Sequence, residues 1–231
     1  MDENSRQQRE KAGGDDPRVS LPSPPSTKLK RHFERAVLNS EFSYSILDEA
    51  LMGHFSTVVN GFPVIIPTTF VRLGDRIYLH GAKKNRAFNQ ASGTPSCFEV
   101  AILDGLVFAS ISFNHSMNYR SIVVYDVPVE VTDFPEKIAA MDALIERFEI
   151  GRSKKLRPSS ESELTSTILL RLSLKNSSTK VRSGPPTKLD ENLGENTFVG
   201  TVSTRMTFAD ITPANEATEL SVEIPEKLRA K

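Results

Sequence analysis

The sequence predicts a mainly β protein with a few short helices, its antiparallel strands joined in hairpin order and closed into a barrel. Three observations carry this. The turn dipeptides Asn60-Gly61, Gly74-Asp75 and Asp104-Gly105 each stand between apolar runs. Those runs are rich in Val, Ile, Phe and Thr, which suit a pleated surface. Helical periodicity is confined to brief stretches. Consecutive hairpins close economically into a barrel because closure removes exposed strand edges; an open sheet covered by helices is the competing arrangement.

Taken in order, Phe42–Leu51 places Phe42, Ile46, Leu47, Ala50 and Leu51 on one helical face, with Ser40 or Ser43 as cap and Gly53 as stop. FSTVV then turns at Asn60-Gly61, a dipeptide suited to the positive φ angles of a type I′ turn. The return strand PVIIPTTFVR carries Pro67, which forbids one ladder bond and predicts a bulge or an edge facing something other than a strand. RIYLHG runs back from Gly74-Asp75, and AKKNRAFNQASG is a short helical or loop segment. SCFEVAIL and LVFASISF are two strands joined at Asp104-Gly105, and YRSIVVYDVPVEV is one long strand. Pro135, with Thr132 or Asp133 as cap, opens the clearest helix, whose apolar face is Ile138, Met141, Leu144, Ile145 and Phe148. Alternating Ile168, Leu170, Leu172 and Leu174 make a last strand, and KVRSGPP reads as a loop. The sum is about six or seven strands.

The chain of 231 residues is 38% hydrophobic and 25% charged, a globular composition at its polar end. Residues 1–27 are polar and Pro-rich, with too little apolar surface to offset the entropy of ordering; they and residues 212–231 are expected to be flexible tails around one domain over 28–211. Lys plus Arg and Asp plus Glu number 29 each, so no overall field attracts nucleic acid or a membrane, although a local basic site is compatible with that balance. Cys97 is the single cysteine, which excludes a disulfide framework and a Cys-rich zinc module and fits a reducing compartment; it is expected as a small core residue. With no signal-type apolar core and no membrane-length run, a cytoplasmic protein is expected.

Four stretches can carry chemistry. Lys83, Lys84 and Arg86 follow a strand and Gly81, the setting a phosphate needs; a solvated basic turn is the alternative. Thr68 and Thr69 beside Pro67 offer hydroxyls and unpaired backbone to a polar ring, or else face solvent on a bulged strand. FNHSMNYRS crowds Asn114, His115, Asn118, Tyr119, Arg120 and Ser121 between apolar strands, as a solvent-exposed connection or a ligand-facing rim. Lys180 and Arg182 form a third basic spot. His32, His54, His80 and His115 show no metal-ligand spacing, and no GxGxxG, Walker or GxSxG motif occurs.

In this order, ILDEAL, the Asn-Gly hairpin, VIIPTTF, IYLHGAKKNR, ILDGLVFA and HSMNYRSIVVYDVP resemble the FMN-binding split-barrel proteins of the pyridoxamine-5'-phosphate-oxidase-like family, nearest the flavin-nucleotide-binding and nitroimidazole-resistance branch. The resemblance runs from Lys28 to Gly200. It implies an antiparallel split β-barrel and a homodimer with FMN between its subunits. By position, Pro67, Thr68 and Thr69 would line the isoalloxazine ring, and Leu79, His80 and Gly81 the ribityl chain. Lys84, Asn85 and Arg86 would hold the phosphate, and Arg120 and Ser121 would reach the flavin from the barrel wall. Lys180 and Arg182 would approach from a late loop. His80 is the one weak catalytic candidate, as a proton donor or as a group that fixes the ring.

The chain departs from true pyridoxamine-phosphate oxidases in lacking tryptophan and their C-terminal Trp- and Arg-rich segment. Phe198 stands where the branch often has tryptophan. The resemblance thus implies an FMN-dependent oxidoreductase on an unknown small molecule rather than vitamin B6 oxidation. A non-catalytic flavin- or haem-binding protein is the alternative, since the superfamily also binds haem and deazaflavin.

Overall fold

A computed structural model describes residues 23–28, 32–186, 197–208 and 212, so the two expected tails lie almost wholly outside the described residues. The strands are β1 (Ala36–Val37), β2 (Met52–Val59), β3 (Phe62–Leu73), β4 (Arg76–Ala82), β5 (Ser96–Phe108), β6 (Ser116–Asp126), β7 (Val129–Glu130), β8 (Thr167–Ser173), β9 (Ser177–Arg182) and β10 (Gly200–Ser203). The helices are α1 (Ser40–Glu49), α2 (Arg86–Ala91), α3 (Phe134–Glu146), α4 (Arg152–Lys155) and α5 (Glu161–Ser166). All pairing is antiparallel, in the order β1-β9-β6-β5-β2-β3-β4-β8-β7, with β10 added to β5. The result is the split barrel that the sequence predicts.

One face of these strands encloses the core. Phe55, Phe70, Leu79, Phe98, Ile122 and Leu170 are fully buried, and Ile46 and Leu47 of α1 pack onto them. Phe70 and Phe98 meet edge to face at 4.9 Å between centroids, a geometry the ring quadrupoles favour. The helix caps follow local chemistry. Asn39, rather than either serine, caps α1 through the Phe42 amide, and Asp133 caps α3 through the Glu136 amide.

Four expectations are corrected. Asp104-Gly105 is not a hairpin: β5 runs unbroken through it, with a register shift between Leu103 and Gly105 that makes Asp104 the extra residue of a bulge. Asp104 is held there by Arg120, and a Cβ at Gly105 would stand 2.7 Å from the Val202 carbonyl of β10. The dipeptide therefore serves a bulge and a close strand contact instead of a turn. Next, α3 buries Lys137, Ala140 and Leu144, while Ile138 and Phe148 are exposed. Small Ala140 lets the helix approach Val71, Tyr78 and Leu169 on the barrel's outer side, and the Lys137 ammonium is drawn in to donate to the Thr167 carbonyl. Last, Lys180 and Arg182 belong to strand β9 and not to a loop, and Cys97 is only partly buried, on the outer face of β5.

A candidate flavin-type cleft at the barrel split

The opening in the barrel follows from how β3 divides its partners. Its first part, Phe62 to Thr69, pairs with β2, and its last part, Phe70 to Leu73, pairs with β4. Meanwhile β4 continues alone with β8 as far as Ala82↔Thr167. Beyond the Phe70↔Leu79 pair the two strands part. Pro67, Thr68 and Thr69 form one lip of the gap, and His80, Gly81 and Ala82 the other. Pro67 thus sits on a strand edge that meets no other strand. Side chains alternate along a strand, so Thr68, opposite Gly53, points to the barrel's inner side, and Thr69, opposite Met52, points to the outer face. Leu79 is fully buried in the core, so it offers a ligand only its backbone.

At the end of β4 the chain forms a pinned basic loop. The Lys83 amide donates to the Ser166 carbonyl at 2.8 Å, and the Asn85 side chain accepts from the amides of Ala87 and Phe88. Asn85 is therefore the N-cap of α2, its side-chain oxygen committed to the helix start. Gly81 lies against Phe88, whose ring would be 3.1 Å from an added Cβ, which lets α2 close onto the strand. Lys83, Lys84 and Arg86 are exposed and make no ion pair among the described residues. Ala82, Lys83 and Lys84 line one side of a cleft of about 1060 Å³; Ser160, Ser162, Thr165 and Ser166 line the other, with Glu161. The hydroxyl wall was not picked out from sequence. Its signal was present: Ser160 and Glu163 form a reciprocal capping box that fixes the start of α5.

His80 lies two residues before this cleft, opposite Leu169 on the outer side of the barrel. Its Nδ1 is buried without a hydrogen-bond partner among the described residues, and burial lowers its pKa below the usual imidazole value. The ring is therefore neutral near pH 7, and its Nδ1 is a buried polar atom without a protein partner among the described residues.

The remaining expected site residues form a second group on β6 and β9. Along the strand order, β6 is three inter-strand steps and β9 four from the lip on β3, about 14 and about 19 Å along the sheet. Within one chain the two groups do not meet. Arg120 donates to Glu49 and Asp104, which between them take its Nε, Nη1 and Nη2 and raise its pKa further. Arg182 donates to Asn118 Oδ1 and to the carbonyls of Gly184 and Pro185, anchoring the turn that follows β9. Ser121 and Lys180 are register partners. They face outward with Glu99, His54 and Thr69 on a sheet face that no helix covers among the described residues.

With this geometry in place, comparison with known proteins is informative. The family model described as "Pyridoxamine 5'-phosphate oxidase" matches residues 39–181. Among solved structures, the flavocytochrome Anf3 from Azotobacter vinelandii is 30% identical over 90% of this chain and 97% of that one, with a TM-score of 0.78. The FAD and heme binding protein from Mycobacterium smegmatis is 28% identical over 84% of this chain and 95% of its own, with a TM-score of 0.75. A candidate 5-nitroimidazole antibiotic resistance protein from Bacteroides thetaiotaomicron is 18% identical over 63% of this chain and 86% of its own; its TM-score of 0.51 speaks for the fold alone. Comparison with curated proteins finds no match.

Proposed function

The chain belongs to the pyridoxamine 5'-phosphate oxidase family, and on that premise we propose that it is a flavin-nucleotide-binding oxidoreductase acting as a homodimer on a small molecule. The observation that carries the reading is the basic loop at the split. Lys83 and Lys84, with no ion pair among the described residues, line a cleft whose far wall is hydroxyl-rich, Arg86 follows at the start of α2, and the edges of β3 and β4 part beside them. Lys83, Lys84 and Arg86 hold the phosphate by charge-assisted hydrogen bonds. Ser160, Ser162 and Thr165 complete its coordination. The lip of Pro67 to Thr69 and the Nδ1 of His80 meet the polar edge of the ring system. A bound flavin supplies hydride or electron transfer, and the chain supplies position and electrostatics.

Dimerisation is supported by the separation of the two residue groups: Ser121 and Lys180 reach a ligand at the split only when a second copy brings them. Between nucleotides, FMN fits the loop directly. FAD uses the same loop and extends its longer diphosphate along the Ser160–Ser166 wall, and the FAD-binding relative favours that form. No helix among the described residues is long and apolar enough to cross a membrane, and a cytoplasmic site of action fits the single, unpaired Cys97.

The experiment is to purify the protein as expressed, record its absorbance, and identify released cofactor by mass. Flavin bands with a released FMN or FAD mass support the reading, and bleaching by NADH or NADPH supports turnover. A protein that carries no flavin and fails to bind either nucleotide refutes it. A haem bound in addition to the flavin is a second reading, favoured by the two similar proteins named for both groups.

A further inference from the structure

A second cavity, of about 420 Å³, opens near the Asn60-Gly61 turn and shares no lining residue with the basic cleft. Its floor is a lateral row of register partners, Ser56 of β2, Cys97 of β5 and Tyr125 of β6. Their chain neighbours Phe55, Phe98 and Val124 are fully buried in the core, so by alternation the three point to the outer face. Val58 and Pro63, paired with each other, extend that face by one row, and Pro95 and Val127 line its end. Ser23, Pro24 and Pro25 add a wall from the N-terminal segment. The volume lies within the range of about 300–1,000 Å³ typical of small-molecule sites.

The lining sets the chemistry of an occupant. Pro24, Pro25, Pro63 and Pro95 bring apolar rings and no amide hydrogen. The Ser96 hydroxyl donates to Thr57 Oγ1 at 3.1 Å and lies 2.9 Å from the Thr94 carbonyl, so its one hydrogen is committed inside the wall. Asp126 is the one carboxylate of the lining, and the Ser173 amide donates to it at 2.6 Å. No Lys, Arg or His stands among the lining residues. An anion brought here would lose its hydration and meet a carboxylate without a compensating cation. A molecule with an apolar body and a hydrogen-bond donor meets acceptors instead.

Cys97, the single cysteine of the chain, contributes a thiol to the floor. Burial raises its pKa, and the Glu99 carboxylate adds to the effect. The sulfur is therefore a neutral, polarizable contact rather than a resident nucleophile.

We propose that this cavity binds an uncharged small molecule with an apolar body of one or two rings and a hydrogen-bond donor; the site stands independently of the flavin reading given above. N-phenyl-naphthylamine is such a molecule, and anilinonaphthalene sulfonate is the same skeleton carrying an anion. The full-length protein as purified is titrated with each, and probe fluorescence is read. The neutral probe should saturate and bind at least about tenfold tighter than the anionic one. Bound neutral probe should also slow alkylation of Cys97 by N-ethylmaleimide in proportion to its occupancy, followed by intact mass at mildly alkaline pH. Cys97→Phe, which fills the floor, should weaken the neutral probe at least about tenfold with Tm unchanged. Val58→Arg, which brings a cation to the rim, should shift the preference toward the sulfonate. The proposal is overturned if the neutral probe does not saturate or if the sulfonate binds wild type as tightly. It is equally overturned if saturating probe leaves the alkylation rate unchanged. That last assay needs wild type alone, so it decides even where a variant fails to fold.

Discussion

Arg120→Gln separates two roles that position alone cannot. The family resemblance places Arg120 beside the flavin, yet its guanidinium makes four hydrogen bonds to Glu49 at the end of α1 and Asp104 at the β5 bulge. Removing one partner of a fully buried ion pair costs about 3–5 kcal/mol, chiefly because the other charges are left uncompensated. Here the side chain is 22% exposed, and its partners 41% and 34%, so water takes up part of the loss. A cost of about 2 kcal/mol remains. For a domain of this size that corresponds to a Tm lower by about 4–8 °C. Thermal unfolding by circular dichroism, run beside a flavin titration of the same sample, reads both quantities. The expected result is a lower Tm with flavin affinity changed less than about threefold, since the donors are already spent on protein carboxylates. An unchanged Tm with a tenfold or greater loss of flavin affinity would refute this reasoning and return Arg120 to the ligand.

Lys84→Ala combined with Arg86→Ala should weaken flavin binding by about ten- to a hundredfold, more at low salt than at high, with Tm of the ligand-free protein unchanged; fluorescence titration checks it. His80 gives a pH signature. Its folded pKa lies below the ordinary value of about 6.5, so the unfolded chain binds the extra proton first. The contribution is intact above that value and is lost as pH falls toward the folded pKa. Denaturant melts between neutral pH and pH 5 should show this slope in wild type and a shallower one in His80→Leu. Gly105→Ala should displace β10, because the new Cβ meets the Val202 carbonyl at 2.7 Å. A cost of about 1–3 kcal/mol is expected, together with faster hydrogen exchange of the Thr201 to Ser203 amides.

The parts of the fold written in local chemistry were legible in the sequence. Asn60 and Gly61 both adopt positive φ, as a type I′ turn demands. Pro135 and Asp133 opened a helix, and alternating leucines made β8. The features that were not legible depend on partners distant in sequence. Asp104-Gly105 has the composition of a turn, and only Arg120 and the arriving strand β10 make it a bulge. Lys137 has the composition of a surface residue, and only the Thr167 carbonyl accounts for its burial. The basic loop stood out as a candidate for a phosphate, with a solvated basic turn as the alternative, but the wall opposite it lies some eighty residues later, and nothing local ties Ser160 to Lys84. Arg120 drew attention in a polar cluster and Arg182 in a basic spot; their acceptors come from α1, from the bulge, from Asn118 on β6 and from the turn after β9, which no spacing announces.

The divided strand β3 also bears on colloidal behaviour. Pro63 and Pro67 have no amide hydrogen to give β2, so both nitrogens point to the unpaired side of the strand. Carbonyl and amide of one residue point the same way in an antiparallel strand, so the amides aimed there from Phe62 to Thr69 belong only to Ile65 and Thr69. A stray extended peptide seeking a continuous ladder finds every second donor missing, and addition of a further strand from another chain stalls. The carbonyls on that side are all still present. The gap in the barrel can thus stay open to a small hydrogen-bond donor without becoming a seed for aggregation.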